Sequence, residues 1–228
     1  MGYYIKNDDT RNLNIESESI DYIFTDPPYG DSVPYFEQSA LWNSWLKFVV
    51  DYENEIIISN SPIRTKDVNT YCRDMEKAIA EIYRVLKKQK FFSITFHSLS
   101  GSEWNGIANS CIKAGFELHD FEWLTQKTFT PRQLNRAKTV KGDVLVTLKK
   151  PIVKKETTQL NESDTNKYFL QVFHKLILNG ITDTNSIFME VVKDIFNNHT
   201  LVADIDFYSI LSENFDFIEN SWRIFDAK

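Results

Sequence analysis

Strand-like and helical patterns alternate along the first part of the chain. Residues 20–25, Ile-Asp-Tyr-Ile-Phe-Thr, predict a β-strand, which two prolines end because proline has no N–H to donate. A shorter strand is predicted at 3–6. Apolar residues at helical spacing predict helices at 37–49 and 67–88. The second helix would end in two lysines, whose charge suits the negative end of the helix dipole.

The next stretch predicts one more strand and helix, followed by two strands in succession. The strand covers 91–97, the helix runs from about 102 to 114 and ends at Gly115, and the strands cover 116–126 and 141–148. Strands separated by helices pair in parallel, whereas two strands without a helix between them pair antiparallel. The pattern therefore predicts an α/β fold whose sheet is parallel with an antiparallel pair.

A change in composition after residue 150 indicates a second, smaller unit. Residues 151–163 are polar and poor in core-forming side chains, which predicts a linker between a core at 1–150 and a unit at 164–228. Apolar periodicity predicts three helices in this unit, at 168–178, 187–196 and 207–211. With a terminal hairpin at 215–226, the unit would resemble a winged helix.

The composition is that of an ordinary globular chain with ample material for a core. Its 228 residues include 17 Phe, 10 Tyr and 5 Trp. No apolar stretch approaches the roughly 20 residues that span a bilayer. Cys72 and Cys111 are far apart, so we expect free thiols in a reducing compartment, the cytoplasm, and no metal site.

Basic residues are concentrated around the last predicted strand, although the net charge of −6 weighs against a nucleic-acid partner. Nine lysines and arginines share this region with one acid, Asp143: Lys127, Arg132, Arg136, Lys138, Lys141, Lys149, Lys150, Lys154 and Lys155. The candidates for contacts with a nucleic-acid backbone are Lys127, Arg132, Arg136, Lys138 and Lys141. The alternative is a solvated basic hairpin without a partner.

The run Asp26-Pro27-Pro28-Tyr29-Gly30 follows the strongest predicted strand, at the sheet edge where open α/β folds bind ligands. The prolines restrict the backbone and Gly30 permits a sharp turn after them. A carboxylate, a rigid carbonyl and an aromatic ring then stand together. These groups suit an exocyclic amine, which becomes nucleophilic only when acceptors hold its N–H bonds out of conjugation. Tyr29 would stack on the base that carries the amine.

These residues resemble a family motif. Thr25 to Gly30 resembles motif IV, the DPPY motif, of the DNA amino-methyltransferases. Residues 31–45 resemble the segment after this motif in adenine-specific DNA methylases, and residues 80–87 resemble a helix of class I methyltransferases. Weaker resemblances cover 7–13, where Asp9 matches an acid near the cofactor's adenine, and 136–143.

The resemblance implies the fold, the cofactor and the reaction. The fold would be a class I S-adenosylmethionine-dependent methyltransferase core, Rossmann-like, followed by the small helical domain. The enzyme would move a methyl group from S-adenosylmethionine to a base flipped out of DNA. Because Asp leads the motif, N6 of adenine is favoured over N4 of cytosine. Asp26, Pro27, Pro28 and Tyr29 would form the catalytic loop, and Asp9 and Asp26 would face the cofactor.

The sequence departs from the family in its glycines. No two of its seven glycines have the spacing of the FxGxG loop that cradles the cofactor. We therefore expect a core that is truncated at its N-terminus and completed by an upstream part of the same polypeptide.

Alternatives remain for the function and for single residues. The protein could instead methylate an amine or amide in RNA or protein, or be a nucleic-acid-binding remnant without catalysis. His97 ends a strand at the same sheet edge, where a hydrogen-bonded rim residue is more common than a functional one. Trp42 and Trp45 have the spacing of a buried helix face, which favours packing over contact with a base.

The missing glycine loop leads to a first testable prediction. The 228-residue chain should bind S-adenosylmethionine weakly or not at all, because no backbone loop holds the methionine end of the cofactor. Isothermal titration calorimetry measures this directly. Micromolar affinity would contradict the prediction.

Overall fold

The computed structural model describes residues 3–6, 8–30, 33, 35–49, 51–62, 64–96, 101–124 and 143–225. Its elements, in chain order, are β1 (Ile20–Thr25), α1 (Tyr35–Leu46), β2 (Ser59–Ser61), β3 (Arg64–Lys66), α2 (Val68–Val85), β4 (Leu86–Phe96), α3 (Gly101–Ala114), β5 (Glu117–Leu124), β6 (Asp143–Lys149), β7 (Thr158–Gln159), α4 (Glu162–Leu178), α5 (Thr184–Asn197), β8 (Thr200–Leu201), α6 (Phe207–Asn214), β9 (Phe215–Ile218) and β10 (Ser221–Ile224).

The main sheet of the described residues has the strand order β1-β4-β6-β5. β1 and β4 are parallel, and β6 is antiparallel to both β4 and β5. The predicted α/β class, the parallel strands and the antiparallel final pair are therefore confirmed. The pattern along the chain did not predict that β6 inserts between β4 and β5.

The helix α2 confirms its predicted start and face but ends earlier than expected. Asp67 caps it by accepting a hydrogen bond from the Thr70 N–H at 2.8 Å. Its buried face includes Met75, Ile79 and Ile82. The prediction that the helix reaches residue 88 is wrong, because Leu86 is fully buried and begins β4 beside β1. Pairing in the sheet outweighs the helical propensity of the following lysines.

Two further expectations are wrong. Residues 3–6 pair with no described strand, and Tyr3 is 92% exposed. α1 forms close to its predicted place, but it buries none of its residues. Trp42 and Trp45 are 59% and 70% exposed and meet each other edge to face at 5.6 Å between ring centroids. Helical spacing gives these two indoles one face, but no described element covers that face.

The C-terminal part contains the three predicted helices, α4, α5 and α6, and the predicted hairpin, β9–β10. It packs on the sheet region against both α3 and β5. The rings of Trp104 and Phe188 lie 5.4 Å apart, and Asn109 exchanges two hydrogen bonds with the backbone of Val202 at 2.7 and 3.1 Å. One hydrophobic core thus includes side chains from both parts. The linker at 151–163 as a domain boundary stays a prediction.

Both cysteines are free thiols. Cys111 is buried and Cys72 is partly buried. Burial raises the pKa of Cys72 to about 11 and that of Cys111 further still. Among the described helices, none combines the length and the apolar character needed to cross a membrane.

The shared core predicts that Phe188 supports the whole fold. Phe188 is 7% exposed and contacts the rings of Trp104, Phe121 and Phe207. Phe188→Ala should lower the free energy of unfolding by about 3–5 kcal/mol, since it leaves a cavity that its neighbours cannot fill. Urea denaturation measures the change. The control Leu178→Ala, at a site 66% exposed, should cost below about 0.5 kcal/mol. Equal losses in the two variants would contradict the shared core.

Candidate active site

The Asp26–Gly30 loop begins where β1 ends, beside the end of β4. Thr25 pairs with Ile94, so the next residues of the two strands, Asp26 and Thr95, become neighbours. Asp26 is exposed, Pro27 to Tyr29 are half-buried, and Gly30 is buried. The loop therefore presents its carboxylate to solvent while its other end is anchored in the protein.

Two hydroxyl groups hold one oxygen of the Asp26 carboxylate. The Thr95 hydroxyl donates to Asp26 Oδ1 at 2.9 Å, and the Tyr29 hydroxyl donates to the same atom. No described residue donates to the other oxygen, Oδ2. A carboxylate held in this way accepts hydrogen bonds only, which suits an incoming N–H group.

Tyr29 lies against Phe96 at the end of β4. Their rings meet edge to face, with centroids 5.5 Å apart. Burial, and next the hydrogen bond to Asp26, raise the pKa of Tyr29 above its ordinary value. The hydroxyl therefore stays protonated as a donor at physiological pH.

Two backbone carbonyls of the loop accept hydrogen bonds from residues outside it. The Tyr71 hydroxyl, on α2, donates to the Pro28 carbonyl at 2.6 Å, and the Gly30 carbonyl accepts from the Ile58 N–H at 3.2 Å. Gly30 has φ of +60°, and a Cβ there would lie 2.9 Å from a carboxylate oxygen of Glu103. The left-handed φ favours glycine at this turn, whereas a Cβ would only require the end of the Glu103 side chain to move. The Pro27 carbonyl has no hydrogen-bond partner among the described residues.

Sequence reasoning missed Thr95 and Tyr71. Thr95 precedes His97 by two residues in the same predicted strand, and side chains two apart share a face. Thr95 is therefore predicted to share with His97 the strand face near this sheet edge. Tyr71 lies one helical turn before Met75 on the apolar face of α2, and this pattern does not reveal that its hydroxyl reaches the loop.

Asp9 contacts Arg11 and, among the described residues, makes no hydrogen bond with the Asp26–Gly30 loop. The guanidinium donates to both Asp9 oxygens at 2.8–3.2 Å, and this pairing is the main reason that the pKa of Asp9 is lowered. Arg11 also reaches Asp74 at 3.3 Å and the Asn54 carbonyl at 3.1 Å. A cavity of about 730 Å³ adjoins Asp9 and is also lined by Arg11, Phe36 and Asn54. Its volume lies within the usual range for ligand pockets, about 300–1,000 Å³.

The structure thus joins Asp26 and Tyr29 by a hydrogen bond, and among the described residues no contact joins Asp9 to either of them. The remaining candidates, His97 and the basic residues Lys127, Arg132, Arg136, Lys138 and Lys141, lie outside the described residues.

The sheet and the loop together define the class of protein. A parallel pair continued by an inserted antiparallel strand, with an Asp-Pro-Pro-Tyr loop after β1, agrees with the α/β sheet expected for a class I S-adenosylmethionine-dependent methyltransferase. Residues 20–226 match the model of the N6/N4 methyltransferase family, described as DNA methylase. The chain belongs to this family of DNA amino-methyltransferases, as the motif predicted. The methyl donor of the family is S-adenosylmethionine.

Solved structures match this chain only distantly. A predicted DNA modification methylase from Thermus thermophilus is 13% identical, with 73% of this chain and 61% of that chain covered, at a TM-score of 0.37. The same protein was also crystallised with S-adenosyl-L-methionine. The cytosine-N4-specific PvuII DNA methyltransferase is 10% identical, with 71% and 58% covered and a TM-score of 0.37. No curated protein matches the chain. The chain spans about three fifths of the length of these solved structures.

The hydrogen bond from Tyr71 to the loop predicts a loss of stability when the Tyr71 hydroxyl is removed. Tyr71 is 1% exposed, so Tyr71→Phe removes a buried donor from the half-buried Pro28 carbonyl. The free energy of unfolding should fall by about 1–2 kcal/mol in thermal or urea denaturation. The matched control is Tyr83→Phe, since the Tyr83 hydroxyl has no partner among the described residues. A loss no larger than that of the control would contradict the stabilising role of the Tyr71 hydroxyl.

Proposed function

We propose that the complete protein transfers a methyl group from S-adenosylmethionine to an exocyclic amine of a base in DNA, most favourably N6 of adenine. The observation that carries this proposal is the Asp26 carboxylate, held at Oδ1 on a braced loop at the end of β1. Family membership establishes the coarser class, a DNA N-methyltransferase family. The leading Asp of the motif supports adenine over cytosine.

Asp26 and the Pro27 carbonyl would accept the two N–H bonds of the target amine. Holding both N–H bonds out of the ring plane removes the nitrogen lone pair from conjugation with the ring, and the amine nitrogen thereby becomes a nucleophile. The base must first leave the duplex, because a stacked base cannot present its amine. Tyr29 would then support the flipped base by stacking, a contact of about 1–3 kcal/mol.

The cavity at Asp9 fits the adenosine end of the cofactor. It offers carboxylate and amide oxygens for ribose hydroxyls and an aromatic side chain, Phe36, for the adenine. Arg11 orients the Asp9 carboxylate. Asp26 would face the sulfonium end of the cofactor, which supplies the methyl group. No two glycines of this chain have the GxG spacing of the loop that would hold the methionine end of the cofactor. The proposal therefore concerns the complete protein.

The basic residues between β5 and β6 would contact the DNA backbone. Lys127, Arg132, Arg136, Lys138 and Lys141 fall in the sequence between Leu124, where β5 ends, and Asp143, where β6 begins. Those two strand ends lie at the sheet edge that also carries Asp26. Contacts with phosphates would make binding weaker as salt increases, since counterions are released on association.

The test is methyl transfer from labelled S-adenosylmethionine to unmethylated DNA. Asp26→Ala in the complete protein should reduce kcat by about 100-fold or more, because a preorganised acceptor for the amine is lost. The matched control is Asp216→Ala, which removes an exposed aspartate on β9 and should leave the rate unchanged.

Other outcomes identify the alternatives. Label in RNA or protein but not in DNA would replace the proposal by methylation of those substrates. DNA binding without transfer to any acceptor, by a protein that binds the cofactor, would favour a non-catalytic role. Digestion of labelled DNA to nucleosides distinguishes N6-methyladenine from N4-methylcytosine.

A further inference from the structure

The Asp26 carboxylate has an asymmetric environment. Both hydroxyl groups that contact it, those of Thr95 and Tyr29, donate to Oδ1. Among the described residues, Oδ2 accepts no hydrogen bond. The Asp χ2 torsion has a broad energy profile, so an unrestrained carboxylate samples many orientations. Anchoring one oxygen therefore decides where the other points.

The two hydroxyl groups differ in how firmly they are placed. Thr95 belongs to β4, between β1 and β6, where Leu145 is its partner across the strands. Its hydroxyl has one proton, and its neighbours include Asp26 Oδ1 at 2.9 Å, the Thr25 carbonyl at 3.4 Å and the Tyr29 hydroxyl. The shorter distance and the charged acceptor favour Asp26. Tyr29, by contrast, belongs to the loop that would receive the base.

Stacking on a base would require the Tyr29 ring to adjust, because it now packs edge to face with Phe96 and its hydroxyl is bound to Asp26. A movement of the ring separates this hydroxyl from the carboxylate. Thr95 can stay in place during such a movement because its backbone is part of the sheet ladder.

We propose that Thr95 is a positioning residue of this site, whose hydroxyl holds Asp26 Oδ1 and so directs Oδ2 at the amine to be methylated. The proposal rests on the proposed function. Thr95 itself does not touch the substrate and acts through Asp26.

The test compares Thr95→Val and Thr95→Ser in the complete protein. Valine keeps the shape of threonine and its preference for strands but removes the donor, whereas serine keeps the donor and removes a methyl group. Thr95→Val should lower kcat about tenfold with KM for DNA changed less than about twofold, since only the transition state needs the directed oxygen. Thr95→Ser should restore most of kcat. Wild-type kcat in Thr95→Val, or equal loss in both variants, would overturn the proposal.

Crystal structures of the wild type and both variants provide a readout independent of activity. The Asp26 carboxylate should rotate in Thr95→Val and keep its wild-type orientation in Thr95→Ser. An unchanged orientation in Thr95→Val overturns the positioning role. If the wild type transfers no methyl group but Asp26 rotates only in Thr95→Val, the proposed function fails while the positioning of Asp26 by Thr95 stands.

Discussion

The site depends on the parallel pairing of β1 with β4. In a parallel pair both strands end at the same edge, and the register joins Thr25 to Ile94. This places the residue after β1, Asp26, beside Thr95 and puts the Tyr29 ring on Phe96. A shift of this register by one residue would turn the Thr95 hydroxyl to the other face of the sheet and remove its hydrogen bond to Asp26.

Rigidity of the loop is achieved from several sides at once. The prolines limit the backbone, Tyr71 holds the Pro28 carbonyl, and Ile58 holds the carbonyl of Gly30. Each contact contributes modestly to stability, but together they hold the acceptor groups in place before a substrate arrives. Preorganisation of this kind is the main source of electrostatic stabilisation in active sites. The anchored loop thus holds the exposed Asp26 carboxylate in a defined position.

α3 connects this site to the C-terminal part of the chain. Near its start, Glu103 approaches Gly30, while Trp104 packs on Phe96 at 5.7 Å and on Phe188 at 5.4 Å. Further along, Asn109 hydrogen-bonds to Val202. The C-terminal helices therefore support the end of β4 that carries Thr95, and a change in their packing can reach the loop through α3.

The local features of this protein could be predicted from its sequence. Proline and glycine chemistry predicted the loop after β1, periodicity predicted α2, α3 and the C-terminal elements, and the Asp-Pro-Pro-Tyr motif predicted the family. These features depend on neighbouring residues, so they can be read along the chain. Four features depend on long-range contacts instead. Two concern the sheet: β6 inserts between β4 and β5, and β4 starts at Leu86. The other two are the exposure of Trp42 and Trp45 and the contacts of Thr95 and Tyr71 with the loop. Each of these depends on which distant segments meet, because spacing along the chain specifies a face of a helix or strand but not what lies against it.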